Sequence, residues 1–454
     1  MAPPAKTVWE LGNQLKFDEP LKADDERFVH TESARGEFSF NGLLRAYGID
    51  PGKDPGEDVM KFVPSGKYSL FCGHRGCGKS TELRRLRARL DRPDLFFVVF
   101  LDVLSELDIN NLSYADVLLA IAYVLVSRIE SEGLIIDPVH LGKMENWFSE
   151  RIEIHETIKE YTAKIKAGLK VESGIPFLAK IFAQLTSSFK MGSTYKEELR
   201  TEICNSFSQF AEAFQSLIDA ATEKVAESGR GRSILFIVDG TDRLRGEDSE
   251  KFFIHDAHQL RQLRGNFIYC APIHMIYEHN QLNQVFESIH KLPMIKIEEK
   301  DPGIPNPAGI SAMEEIIYKR ADRSLFDNEE TVKYLITHSG GHPRDLLHLL
   351  MYGFESAEGD LIDRYSAEKA VKRLATDYRM TLSKDDLQLL CEIDSAPEET
   401  HNSEEARRLL YNLALLEYNS YWWRSHPVVR TLPGYIACKP KKRGTDNELQ
   451  RTSS

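Results

Sequence analysis

Residues 73 to 80 read Gly73-His74-Arg75-Gly76-Cys77-Gly78-Lys79-Ser80, which is the pattern G-x-x-x-x-G-K-S. The apolar run before it, 68–72, has the composition of a buried strand, and the run after it, 81–90, is rich in helix-forming residues. Glycines let backbone N–H groups curl around an anion, and the N-terminus of the following helix adds positive potential there. A strand, a glycine-rich turn and a helix in this order therefore predict a phosphate-binding loop.

The residue types at the end of this loop indicate which ligand is bound. In such loops a lysine reaches the β- and γ-phosphates of a nucleoside triphosphate, and the following hydroxyl is a ligand of Mg²⁺. We therefore expect ATP and Mg²⁺ as cofactors, with Lys79 as the phosphate-binding lysine and Ser80 as a metal ligand. The predicted nucleotide-binding residues are Gly73, His74, Arg75, Gly76, Cys77, Gly78, Lys79, Ser80 and Thr81.

A second apolar run, 233–239, ends in a carboxylate. Phosphoryl transfer needs groups that complete the Mg²⁺ shell and orient the attacking water, and a neighbouring strand end can supply them. Asp239 is predicted to hold Mg²⁺, directly or through water, and Asp242 is the candidate for polarising the water. A strand that ends in Asp is common, so this assignment depends on the phosphate-binding loop upstream.

The bulk composition is that of an ordinary soluble protein. The chain has 454 residues, 42% hydrophobic and 28% charged, which favours two or three domains. Its formal net charge of −12 disfavours unspecific adhesion to nucleic acid or to anionic membranes. Six scattered cysteines without a C-x-x-C pair argue against a zinc site or a disulfide framework. The start carries no signal peptide and no run is long enough to span a membrane, so we expect a cytoplasmic protein without membrane contact.

Further apolar runs of strand length alternate with helical stretches, at 95–103, 267–273 and 292–297. Parallel strands that are buried on both faces have this continuous apolar character. The alternation predicts an α/β fold with a parallel sheet.

The two motifs together resemble a known group of proteins. The loop 73–80 and the run Asp239-Gly240-Thr241-Asp242-Arg243 are similar to the STAND branch of the AAA+-related ATPases, which includes the NACHT and KAP families. NACHT members carry Asp-Gly-x-Asp-Glu and KAP members Asp-Asp-Leu-Asp-Arg, so Gly240 matches the first and Arg243 the second. No Glu follows Asp242, and Gly240 stands where many AAA+ ATPases have a catalytic Glu. The resemblance therefore implies a nucleotide-controlled switch with slow hydrolysis.

A third motif, residues 339–347, resembles the Gly-x-Pro motif of STAND proteins. The resemblance implies a helical lid before a winged helix, and it places Arg344 at the sensor-2 position that contacts the γ-phosphate. The alternative from the residues alone is a helix that begins at Pro343 and carries a surface arginine. The related ATPases usually have a polar residue, called sensor 1, at the end of the next strand. Residues 270–272 supply no such residue, and His274 is the nearest candidate.

The fold class that follows is α/β, a P-loop NTPase core with a parallel sheet, a large helical insertion, a helical lid and a C-terminal winged helix. A helix, a turn and a β-rich return over 406–429 suggest the winged helix. The expected domains are an N-terminal polar segment (1–65), the ATPase core (66–300) with its insertion (about 112–230), the lid (301–375), the winged-helix-like domain (376–438) and a disordered basic tail (439–454).

Two groups of side chains bear on possible partners. An arginine finger from a neighbouring subunit often completes such sites, and the candidates are Arg243, Arg261, Arg264, Arg320 and Arg323. Contact with nucleic acid is possible through the basic run 84–92 or the aromatic run 421–423. The alternatives are a solvated helix face and a hairpin packed onto its own domain.

Three functions stay open from the sequence. The first is a STAND/AAA+-like switch that self-associates and controls a protein partner or effector on another chain, with bacterial antiphage defence or stress signalling as a family-level analogy. The second is a nucleic-acid-dependent ATPase, such as a loader or a transcription regulator. The third is a scaffold that binds nucleotide without hydrolysing it.

Overall fold

The structure is a computed structural model that describes residues 3–151, 175–190, 194–244, 247–301, 303–397, 399, 401–419 and 422–438. The predicted disordered tail, 439–454, lies outside the described residues. The strands are β1 (Ile49–Asp50), β2 (Val59–Met60), β3 (Tyr68–Gly73), β4 (Phe96–Asp102), β5 (Ser233–Asp239), β6 (Asn266–Pro272), β7 (Ser288–Leu292), β8 (Leu415–Asn419) and β9 (Trp422–Ser425).

Helices make up most of the remaining described chain. The α-helices are α1 (Val8–Gln14), α2 (Phe40–Ala46), α3 (Lys79–Leu90), α4 (Val103–Glu106), α5 (Tyr114–Ser131), α6 (Pro138–Arg151), α7 (Ile175–Lys190), α8 (Thr194–Asn205), α9 (Phe207–Glu227), α10 (Glu247–Glu250), α11 (Ala257–Leu260), α12 (His279–Val285), α13 (Pro307–Tyr318), α14 (Glu329–Ser339), α15 (Pro343–Ser356), α16 (Arg364–Arg379), α17 (Lys384–Ser395), α18 (Glu404–Tyr411) and α19 (Pro433–Cys438).

The described residues cluster into two compact units. The first unit contains those of Asp18–Glu32 and Glu37–Pro293, and the second contains those of Met1–Phe17, Ser33–Gly36 and Met294–Ser454. The phosphate-binding loop and both acidic positions therefore belong to the first unit, and the predicted lid belongs to the second.

The core of the first unit is a five-stranded sheet in the order β4-β5-β6-β3-β7. All four neighbouring pairs are parallel, which confirms the predicted α/β class. The chain leaves β3 for the far edge, returns strand by strand to β6, and then crosses to β7 on the other side of β3. The connections change direction at β3, and ligands of parallel sheets bind beyond the carboxyl ends of the strands at such a point.

The strand positions follow from burial. Every residue of β3, β5 and β6 is buried, which explains why their sequences are largely apolar and do not alternate with polar residues. The last strand lies earlier than the apolar run 292–297 predicts, because β7 ends at Leu292. Its first four residues are only half-buried at the sheet edge and include polar side chains, so the pattern of a buried strand is absent. Pro293 follows and has no N–H to extend the ladder.

The described helices of the insertion between β4 and β5, α5 to α9, pack together around aromatic side chains. The ring of Trp147 lies 5.0 Å from that of Phe210, and Phe148 lies 5.1 Å from Phe182. A buried ion pair adds to this packing, because Arg200 Nε donates to Asp116 Oδ1 at 2.8 Å. Helix α7, which begins at Ile175 and carries Phe182, therefore packs against the other helices of the insertion.

In the second unit, the predicted Gly-x-Pro motif forms a sharp turn before α15. Gly341 has φ 72°, and a Cβ there would lie 1.8 Å from the carbonyl oxygen of Ile295. Only glycine fits this approach. The antiparallel hairpin β8–β9 follows α17 and α18. Among the described residues, no helix is both long and apolar enough to cross a bilayer.

Candidate nucleotide-binding site

The predicted strand, loop and helix are all present. β3 ends at Gly73 and α3 begins at Lys79. Gly76 has φ 78° and Gly78 has φ 108°, a region that side chains with a Cβ rarely adopt. These two glycines turn the backbone back on itself between strand and helix, so the first N–H groups of α3 stay free of intrahelical partners.

Lys79 is almost completely buried, with 4% of its surface exposed. Its Nζ donates to the carbonyl oxygens of Gly73 at 2.8 Å and His74 at 2.7 Å, and lies 2.8 Å from Asp242 Oδ2. Burial is the largest single effect and by itself would lower the pKa of Lys79, but the charge and hydrogen bond of Asp242, together with smaller contributions from Cys77 and Cys270, outweigh it and the pKa is raised. The ammonium group is therefore charged and held at the loop by three contacts.

Asp242 mirrors this arrangement. Burial by itself would raise the pKa of Asp242, but the neighbouring Lys79 holds it below its ordinary value. A carboxylate with a low pKa is a weak proton acceptor. Its contacts therefore favour a role in positioning Lys79, and the role in polarising water stays a prediction.

Ser80 and Asp239 form the second contact between the loop and β5. Ser80 Oγ donates to Asp239 Oδ1 at 3.0 Å. Burial first, and then the charge of Asp242, raise the pKa of Asp239 to about 6. A buried carboxylate whose ionised form is under-compensated attracts a cation, and hydroxyl and carboxylate oxygens are ligands that Mg²⁺ prefers. These two predicted ligands therefore fit Mg²⁺.

Cys270, which lies on β6, is close to the carboxylates of Asp239 and Asp242. A ligand atom of Cys270 lies within 4.8 Å of ligand atoms of Asp239 and Asp242. Burial raises the pKa of this thiol well above its ordinary value, so it stays protonated, and a thiol is a poor ligand for Mg²⁺. Its carbonyl oxygen accepts a hydrogen bond from the hydroxyl of Thr241, which fixes the turn after β5.

A third carboxylate at this edge of the sheet was missed from the sequence. Asp102 ends β4 and is paired in register with Asp239 on β5, and its charge contributes to the raised pKa of Asp239. Its Oδ1 accepts from the N–H of Leu104 at 3.2 Å, and its Oδ2 lies 3.3 Å from Arg84 Nη2. The signal was an apolar run that ends in Asp, as in β5.

The other loop residues have packing contacts. Cys77 is buried and its Sγ lies 3.7 Å from the carbonyl oxygen of Leu292, so it fills space beside β7. Thr81 Oγ1 accepts from the N–H of Leu21 at 3.2 Å, which brings the segment 18–32 against the start of α3. His74 is buried and Arg75 is half-buried, directly after β3.

The arginines of α3 do not form a free basic face. Arg89 makes two short hydrogen bonds to Asp58, whose side chain is fully buried. Arg85 lies 3.9 Å over the ring of Phe28 and 2.8 Å from Glu82. The remaining members of the run also contact their own chain: Arg84 with Pro20, Arg87 with Phe100, and Arg92 with Asp94.

In the second unit, Arg344 lies in the first turn of α15, directly after Pro343. Its Nε donates to the carbonyl oxygen of Phe17 at 3.3 Å. The next residue, Asp345, is buried with His426 Nε2 at 3.1 Å and the hydroxyl of Tyr378 at 2.8 Å. The start of α15 is thus fixed, and the sensor role of Arg344 stays a prediction.

The candidate arginine fingers differ in exposure. Arg264 has 77% of its side chain exposed, with Asp219 at 3.3 Å, whereas Arg243 is half-buried beside Asp242. The others contact their own chain: Arg261 with Glu287, Arg320 with Ile316, and Arg323 with Glu329.

Comparisons with known proteins give structural matches at low identity. The RuvB Holliday junction branch migration motor of Thermotoga maritima is 11% identical, with 79% of this chain and 84% of that chain covered and a TM-score of 0.32. A Walker-type ATPase of Pyrococcus abyssi is 12% identical, with 91% and 98% covered and a TM-score of 0.40. Cdc6p from Pyrobaculum aerophilum is 11% identical, with 82% and 78% covered and a TM-score of 0.35. No protein-family model and no curated protein matches the sequence.

The class of the first unit follows from its own geometry. The end of one strand of the parallel sheet carries the glycine loop with the lysine and serine of the motif. The end of another strand carries a carboxylate that is hydrogen-bonded to that serine. This is the fold of the P-loop nucleoside triphosphatases.

Proposed function

We propose that this chain is an ATP-binding, Mg²⁺-dependent and slowly hydrolysing switch ATPase of the STAND/AAA+ type. The observation that supports it is the pair of contacts at one site, Lys79 with Asp242 and Ser80 with Asp239. Together they bring the predicted phosphate-binding cation and the two oxygens predicted to bind Mg²⁺ to the carboxyl ends of β3 and β5.

The chain's own residues would act as follows. Lys79 exchanges its contacts with the Gly73 and His74 carbonyl oxygens for phosphate oxygens, while Asp242 keeps its ammonium group oriented. Ser80 and Asp239 hold Mg²⁺, which neutralises charge that develops on the phosphates when it is bound. The free N–H groups at the start of α3 donate to phosphate oxygens.

Slow hydrolysis follows from the groups near the metal ligands. Gly240 has no side chain, and Asp242 is held by Lys79. Asp102, opposite Asp239, is a further carboxylate that could accept a hydrogen bond from the attacking water. Because it is also paired with Arg84, we expect it to be a modest base at best.

The switch itself depends on the predicted lid. Nucleotide contact through Arg344 would set the position of the lid and of the winged-helix-like domain, and thereby self-association and binding of a protein partner. An effector would be another chain, and a role in antiphage defence or stress signalling is an analogy with the family that the motifs resemble.

The nucleic-acid alternative has less support. The arginines of α3 are engaged within the chain, and Trp422 and Trp423 are only 4% and 5% exposed, so neither group offers an extended outer surface on which the bases of a nucleic acid could stack. Steady-state ATPase with and without duplex DNA, at two salt concentrations, separates the two functions. A salt-sensitive stimulation would favour the nucleic-acid function.

The deciding experiment compares ATP binding by the wild type, Lys79→Ala and Lys143→Ala in calorimetry with Mg²⁺. Lys143 is an exposed lysine paired with Glu212, and its variant removes the same charge. We expect binding to be lost only in Lys79→Ala. Tight binding by that variant would contradict the assignment of the loop.

Two further measurements separate the switch from a non-hydrolysing scaffold. Phosphate release shows whether bound ATP turns over, and a mass measurement with and without ATP shows whether nucleotide changes assembly. Thermal stabilisation by ATP without phosphate release or a change of mass would favour the scaffold.

A further inference from the structure

The second unit contains a cavity of about 520 Å³, within the range of small-molecule sites. Two predicted lid helices and the hairpin form its walls. Ile310 of α13, Ile336 of α14, Tyr418 of β8 and Trp422 of β9 are among its lining residues. The walls are therefore largely aliphatic and aromatic, and suit a flat apolar group.

The charges of the lining are unbalanced. Lys333, Arg424 and Arg430 are its cations, and Glu298 is its carboxylate. Glu298 Oε2 lies 3.2 Å from Arg424 Nη1, so these two neutralise each other. Lys333 is half-exposed and pairs with Glu330 at 2.9 Å. Neither Arg424 nor Lys333 is therefore available to pair with an anionic ligand.

Arg430 is the exception. It is half-buried, and its guanidinium group makes no ion pair or hydrogen bond with any residue that the structure describes. The positive charge of Arg430 nonetheless acts on the cavity lining. His338 lines the cavity, and Arg430 is, after burial, among the causes that lower the pKa of His338. A partly desolvated guanidinium group without an anion is costly, and a carboxylate or phosphate would satisfy it with two hydrogen bonds.

We propose that this cavity binds an organic anion with a flat apolar body, in which Arg430 holds a carboxylate or phosphate group and Tyr418 and Trp422 contact the body. Because the ligand would touch α13, α14 and the hairpin together, its binding would stiffen the predicted lid against the predicted winged-helix-like domain. The site does not depend on ATP binding at the phosphate loop.

The test uses two fluorescent probes of similar shape, the anion 1-anilinonaphthalene-8-sulfonate and the neutral N-phenyl-1-naphthylamine. We expect both to bind the wild type at a single saturable site. Arg430→Gln should weaken the anionic probe about tenfold and leave the neutral probe unchanged, because it removes a charge-assisted contact only. Arg373→Gln is the matched control, since this exposed arginine of α16 lies outside the cavity.

Ile310→Trp fills the cavity and should abolish binding of both probes. A folded Lys79→Ala, which should lose ATP binding, should bind both probes as the wild type does, which separates this site from the phosphate loop and from the fate of the ATPase proposal. Competition by phenyl phosphate or by phenylacetate then shows which anion is preferred. Equal binding of the anionic probe by Arg430→Gln, loss of binding of both probes in a folded Lys79→Ala, or unchanged binding by a folded Ile310→Trp would each overturn the proposal.

If Ile310→Trp fails to fold, as judged by its thermal unfolding, Arg430→Gln and Arg430→Lys decide. Arg430→Lys keeps the charge and should retain most of the affinity for the anionic probe. Loss of affinity in Arg430→Lys as large as in Arg430→Gln would count against recognition of the anion by charge.

Discussion

Asp242 Oδ2 lies 2.8 Å from Nζ of Lys79, and both side chains are almost completely buried. Lys79 is the first residue of α3, and Asp242 lies three residues after the end of β5. The pair explains how a charged lysine is tolerated beside an apolar sheet. It also explains why the carboxylate one turn after the strand is not available as a strong base.

Breaking this ion pair from either side should destabilise the protein. In Asp242→Asn the Lys79 charge stays buried without its counter-ion, and we expect the free energy of unfolding to fall by about 3 kcal/mol. Lys79→Met should cost a similar amount, and Lys79→Met/Asp242→Leu should cost far less than the sum. Urea unfolding measures this double-mutant cycle.

The exposed pair of Lys143 and Glu212, with 58% and 69% of the side chains exposed, is the control. We expect its cycle to give less than about 1 kcal/mol. Additive effects in the buried cycle would show that the two groups do not interact in solution.

The sequence was sufficient for the parts of this site that depend on local pattern. Gly76 and Gly78 mark the turn, and the continuous apolar run of β5 ends at Asp239 where predicted. It was insufficient where register decides, because only the pairing of β4 with β5 brings Asp102 opposite Asp239. The sequence was also insufficient for the position of β7, because this half-buried edge strand has no continuous apolar run.

Mg²⁺ binding should depend on pH through Asp239. Its pKa is raised from 3.8 to about 6 in the folded protein, first by burial. Below this value the folded protein holds a proton that competes with the metal. The raised pKa of Asp239 also makes the folded state lose stability as the pH rises from 3.8 to about 6. In this pH range the unfolded chain binds fewer protons than the folded protein does.

We therefore expect the apparent Mg²⁺ affinity of the ATP complex to fall about tenfold per unit as pH drops below about 6. Magnesium titrations of nucleotide binding at several pH values test this. Asp239→Asn is the control, because ATP titrates equally in both proteins. Identical pH dependence in wild type and Asp239→Asn would show that another group binds the metal.

Asp102→Asn should lower phosphate release roughly 100-fold and leave ATP affinity within a few-fold, if Asp102 orients the attacking water. Asn can still accept the hydrogen bond from the N–H of Leu104, so the start of α4 keeps its cap. Asp94→Asn, at a carboxylate with 55% of its side chain exposed, is the matched control. Single-turnover hydrolysis measures the step, and wild-type rates in Asp102→Asn would remove this residue from the reaction.

Arg89→Ala tests whether the basic run of α3 stabilises the fold or binds a partner. Arg89 forms a bidentate pair with Asp58, whose side chain is completely buried, and its own side chain is only 15% exposed. Removing it leaves a buried carboxylate without a counter-ion, so we expect a loss of about 3 kcal/mol in urea unfolding. Arg264→Ala removes an exposed ion pair and should cost less than about 1 kcal/mol. Because the guanidinium group of Arg89 is engaged within the chain, DNA affinity measured by fluorescence anisotropy should be the same in both variants. Unchanged stability of Arg89→Ala together with weaker DNA binding would reverse this conclusion and make α3 a nucleic-acid contact.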